Sequence, residues 1–164
     1  MPAMLWRRLD QPGHDAARLV FHDAQWHLTG TAVFVEALEP CRLDYRVACD
    51  ASWRTMAASV AGWLGNRAIG IELRTDGAGR WRLNDADCPA VAGCLDLDLS
   101  FTPATNLLPV RRLALPIGET AAVRSAWLTF PLSPWSRSIR YTAGPTPRPT
   151  PTRATGAGSR PSSR

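Results

Sequence analysis

Residues 43–49 read Leu-Asp-Tyr-Arg-Val-Ala-Cys. Leu43, Tyr45, Val47 and Cys49 alternate with Asp44, Arg46 and Ala48, the period of a strand with one buried face. Working outward, residues 26–35 (WHLTGTAVFV) form a second candidate strand. Ile69, Ile71 and Leu73 alternate with Gly70, Glu72 and Arg74 in a third. Residues 76–79 (DGAG) make a hairpin turn into 80–83 (RWRL), because glycine supplies the positive φ such turns need. Residues 122–130 (AVRSAWLTF) are the last clear strand. The Ala-rich stretch 53–64 (WRTMAASVAGWL) fits either a helix or a strand, and the side-by-side spacing of Trp53, Thr55, Ala57, Ser59 and Ala61 favours the strand. Strands in succession joined by short turns imply antiparallel meander connections. The expected fold class is all-β, an antiparallel meander curled into an open barrel-like roll.

A chain of 164 residues holds one domain with a real core. Its formal net charge of +5 is unevenly spread. Residues 1–132 carry 13 Arg against 14 Asp and Glu, whereas residues 133–164 carry six Arg, six Pro and no acid. The sequence therefore divides into a β domain over 4–132 and a Pro/Arg-rich tail over 133–164, expected to be disordered because it cannot bury enough apolar area to offset its ordering entropy. The near-neutral domain has no clustered basic face, which argues against nucleic acid as a partner. The start MPAMLWRRLDQPG contains no signal-like apolar stretch and no run long enough to span a membrane, so a cytoplasmic location is expected. Cys41, Cys49, Cys88 and Cys94 form no CxxC pair and read as small buried hydrophobes rather than metal ligands or disulfides.

The sharpest pattern is residues 93–113, GCLDLDLSFTPATNLLPVRRL. Leu95, Leu97, Leu99 and Phe101 line one face of a strand with Asp96 and Asp98 on the other. A proline-bracketed Thr/Asn-rich corner follows, leading to Arg111 and Arg112. This segment resembles the signature of a bacterial glycolipid-binding family formerly described as a domain of unknown function. The resemblance extends to LWRRLDQPGHDAARL near the start, the strand around Gly30, YRVACDASWRT at 45–55, DGAGRW at 76–81 and AWLTFP at 126–131. It implies a long meander wrapped into an open roll, likened to bacterial lipoprotein carriers that hold acyl chains in a curved sheet. Relatives continue past residue 131 with further strands, where this chain has SPWSRSIRYTAG. The departure is read as a truncated or frameshifted C-terminus, leaving the roll incomplete at that end and the strand at 122–130 without partners.

For function, the first expectation is a non-catalytic carrier or sensor for an amphipathic small molecule, a glycolipid or lipid, in an apolar cavity inside the sheet. Its ligand-binding residues would be Trp53, Arg54, Asp96, Asp98, Thr102, Asn106 and Arg111. Carboxylates and hydroxyls there could accept from sugar hydroxyls, Arg111 could grip an anionic head group, and indoles stack on sugar rings. Two alternatives stand beside it. Asp96 and Asp98 could be the carboxyl pair of a hydrolase acting on a glycoconjugate, or the whole corner could be structural, the aspartates pairing with Arg54, Arg111 or Arg112. No nucleophile motif, phosphate loop or metal-ligand spacing is present, so no catalytic residue, metal or cofactor is expected.

Overall fold

The computed structural model describes residues 3–131 and 139–140. Eight strands follow one another in a single antiparallel meander: β1 Ala3–Arg7, β2 Gly13–His22, β3 Gln25–Glu36, β4 Glu39–Cys49, β5 Thr55–Leu64, β6 Arg67–Thr75, β7 Trp81–Leu83 and β8 Ala86–Asp87. The sheet is open, running in order from β1 to β8 without closing. The alternation in β4 is realised directly. Cys41, Leu43, Tyr45, Val47 and Cys49 are buried, while Arg42 and Arg46 face out. Residues 53–64 resolve as strand β5 preceded by a turn in which Trp53 takes φ +67°. A bulge opposite Ala48 and Cys49 breaks the expected common face. Thr55 points inward opposite Cys49, whereas Ala57 and Ser59 pair with the outward Ala48 and Arg46. At the 76–79 hairpin, Asp76 Oδ1 accepts from the backbone N–H of Ala78 at 2.9 Å and of Arg80 at 3.0 Å, and Gly77 and Gly79 supply the positive φ.

The segment after β8 departs from a plain meander. A short 3-10 turn (Pro89–Val91) leads to β9, Asp96–Leu99; a 3-10 turn (Pro103–Asn106) then runs straight into the helix α1, Leu107–Leu113. The proline-bracketed corner is therefore helical, and Arg111 and Arg112 sit in the last turn of α1. This crossover lets β10, Ser125–Leu128, lie parallel to β9, with Ser125 opposite Asp96 and Leu128 opposite Leu99. On its other side β10 pairs with β11, Ile139–Arg140. The last clear strand is thus flanked on both sides rather than unpartnered, and two residues of the tail expected to be disordered form a strand. The rest of residues 133–164 lies outside the described residues.

The small sheet and α1 pack on the inner face of the meander. Leu97, Leu99, Leu108 and Ala126 join Leu28, Leu43 and Leu73 in one buried cluster. Backbone bonds fasten the two layers: Thr55 N–H donates to Leu95 O at 2.9 Å, and Leu97 N–H to Thr55 Oγ1 at 3.2 Å. Where an apolar cavity was expected inside the roll, the inner face carries this buried cluster.

Candidate functional site

The seven candidate residues take up positions dictated by this packing. Asp96 is fully buried in β9 and receives Arg112 Nε at 3.0 Å and Nη2 at 2.6 Å, a two-pronged ion pair between β9 and α1. Asp98, half-buried two residues on, bonds to Thr105, and burial raises its pKa above the usual carboxylate range. Thr102 is buried and caps the 3-10 turn by accepting from Ala104 N–H at 3.1 Å. Asn106 and Arg111 are exposed on the corner. Trp53 stacks on Trp26 with ring centroids 4.2 Å apart, and Arg54 N–H donates to Asp50 Oδ1 at 2.9 Å in the same turn. Asp96, Asp98 and Thr102 are thus held within one structural corner, whereas Trp53 and Arg54 belong to the β4–β5 turn.

Beneath that corner lies a buried polar cluster that sequence reasoning missed. Tyr45 Oη donates to Asp15 Oδ1 at 3.0 Å and lies 3.1 Å from Thr102 Oγ1, which itself bonds to Asp15. Asp15 is 4% exposed and meets hydroxyls rather than a cation, so burial pushes its pKa up, and the Tyr45 hydroxyl is pushed up by burial as well. Tyr45 reaches Asp15 by lying across Gly30, where a Cβ would collide with the Tyr45 ring and hydroxyl. Gly30 in β3 is therefore the residue that lets β4 touch β2 across an intervening strand.

A recess large enough for a drug-sized ligand lies on the opposite, outer face of β1–β4. It is a groove of about 800 Å³ lined by Leu5, Ala16, Arg18, Thr31, Arg42 and Arg46 among others. Its cause is side-chain size. The registers align Leu5, Ala16, Thr31 and Asp44 in one row across the sheet and Ala3, Arg18, Thr29 and Arg46 in the next. Small residues at the centre form a floor between taller neighbours, and Leu5 is left 73% exposed at one side. Arg42 Nη2 donates to Asp44 Oδ2 at 2.9 Å, and Thr31 Oγ1 donates to Asp44 Oδ1 at 2.6 Å. None of the seven candidate residues lines this groove. A second pocket of about 160 Å³ beside β7, β8 and the first 3-10 turn is much smaller.

Among the described residues no group of three or more His, Cys, Asp or Glu is placed to hold a metal, and the four cysteines are free. No helix among them is long and apolar enough to cross a membrane.

Comparison with known families matches residues 3–156 to the family described as "Putative glycolipid-binding". The chain belongs to this glycolipid-binding family. As a glycolipid-binding family member it is also similar to a solved structure, a DUF1089 family protein from Pseudomonas aeruginosa. The two share 29% sequence identity and a TM-score of 0.65, over 83% of this chain and 71% of that one. A search of curated proteins gave no match. The family resemblance carried by residues 93–113 is thereby borne out, as is the open antiparallel roll.

Proposed function

We propose that this protein is a non-catalytic binding domain for an amphipathic molecule of the glycolipid class, held in the outer groove over β1–β4. The observation that supports this most is the groove itself: an apolar side at Leu5 and Ala16 runs into a side rich in guanidinium and hydroxyl groups. That juxtaposition suits a ligand with a chain at one end and a polar head at the other. The family description points to the same class of ligand. The fate of the aspartate pair supports a binding role over hydrolysis, because Asp96 is committed to Arg112 and fully shielded from solvent. The inner face carries the buried cluster, which favours the outer face as the place for the ligand.

The test is calorimetric titration with a single-chain alkyl glucoside below its micelle concentration, using the full chain and its Ala16→Trp variant. Ala16 is exposed on the floor, so an indole there blocks the groove without entering the core. The expected result is saturable binding by the native chain, lost in Ala16→Trp with unchanged melting. Binding that survives Ala16→Trp, or no binding by the native chain, overturns the assignment.

A further inference from the structure

The charges around the groove are not balanced locally. Across the sheet, Arg18 in β2, Thr29 in β3 and Arg46 in β4 occupy one row on the outer face. Adjacent strands are about 4.8 Å apart, so the two arginine backbones stand about 10 Å from each other. Both side chains are long and can lean over the short threonine between them. Arg18 Nε donates to Thr29 Oγ1 at 3.3 Å, leaving its remaining donors unspent, and Arg46 makes no hydrogen bond or ion pair among the described residues.

Among the described residues no carboxylate serves this pair. Asp44, the acid in the groove, has one oxygen on Arg42 and the other on Thr31. In the Arg18–Thr29–Arg46 row the next acid is Glu72 in β6, which lies two strands beyond Arg46, past Ser59. The imbalance is not the by-product of a basic domain either, since residues 1–132 hold 13 Arg against 14 acids. Two exposed guanidiniums flanking a hydroxyl, beside an apolar wall, form a fork that matches the oxygens of a planar or tetrahedral anion.

We propose that the groove takes an amphiphile whose head group is an anion, a phosphate, sulfate or carboxylate bridged between Arg18 and Arg46 above Thr29, with its chain lying over Ala16 and Leu5. This rests on the assignment of the groove as the ligand site and adds the charge of the ligand. Guanidinium contacts supply the head-group affinity, and because they are exposed they weaken as salt rises.

The experiment compares decyl phosphate, decyl glucoside and inorganic phosphate, each titrated into the full chain and into Arg46→Gln at low and moderate salt. The expected result is decyl phosphate binding about tenfold tighter than decyl glucoside, the strength of one charge-assisted contact. Arg46→Gln should remove most of that preference, weakening decyl phosphate far more than decyl glucoside, and salt should act on the phosphate more than on the glucoside. Equal affinity for phosphate and glucoside overturns the anionic head group while the groove assignment stands. Inorganic phosphate binding as well as decyl phosphate overturns the chain-over-Leu5 part, since the site would then be one for small anions. Absence of binding by either decyl ligand overturns the groove assignment and this inference together.

Discussion

At the scale of single residues, Asp15 is the group whose chemistry is least ordinary. A carboxyl enclosed by hydroxyls, with no cation beside it, is harder to ionise folded than unfolded. Between the ordinary carboxylate pKa and the raised one, the folded chain therefore holds more proton than the unfolded chain. Stability from this group is fully present at low pH and declines as pH rises through that window. Asp98 shifts in the same direction, so the informative quantity is the difference between variant and native chain. Denaturant unfolding of Asp15→Asn across mildly acidic to neutral pH should show its stability improving relative to the native chain as pH rises; parallel curves would contradict the account. Tyr45→Phe removes one donor from the same carboxyl and should cost about 1–3 kcal/mol, the range for leaving a buried acceptor under-satisfied. Equilibrium unfolding at neutral pH checks it. Tyr45 was legible in the sequence as an inward-facing strand residue. Its partnership with Asp15 and Thr102 was not, because these residues come from three segments whose contact depends on registers that period-two alternation leaves open.

At the scale of elements, the meander was readable from β3 onward because those strands carry their own alternation and most of their turns a glycine or aspartate, the Ala37-Leu38 turn between β3 and β4 having neither; β1 and β2 were not read from alternation. The corner at 102–113 was not readable. Two prolines and a Thr-Asn pair look like a turn, yet Pro103 is tolerated at the start of the 3-10 turn, where its missing N–H costs nothing. Pro109 likewise falls in the first turn of α1, whose N–H groups have no partner within the helix. The helix holds its place through Arg112 on Asp96, and Arg111, one residue earlier, points to solvent. This asymmetry gives a clean comparison. Arg112→Ala leaves a buried carboxylate uncompensated and should destabilise by about 3–5 kcal/mol. Arg111→Ala should change stability by no more than about 0.5 kcal/mol. Thermal or denaturant melting of the two variants separates them, and equal losses would mean that the Asp96 pair does not anchor the corner.

At the scale of the whole molecule, the fold has two faces with different tasks. The inner face is spent on stability: the β9–β10 layer and α1 cover the sheet, and aromatic contacts such as Tyr45 with Phe101 and Phe34 with Phe130 close the seam. The outer face of β1–β4 is the one to which we assign the ligand. Sequence patterns located the family through residues 93–113, but that stretch identifies the fold because it builds the inner layer. The groove residues Arg18, Thr29 and Arg46 sit on three strands with no motif linking them, and only the register brings them into one row. The most direct measurement is backbone amide NMR of the full chain during titration with decyl phosphate. The account predicts shifts concentrated at residues 16–18, 29–31 and 42–46 that saturate together. Shifts confined to the 96–112 corner, or none at all, would contradict it.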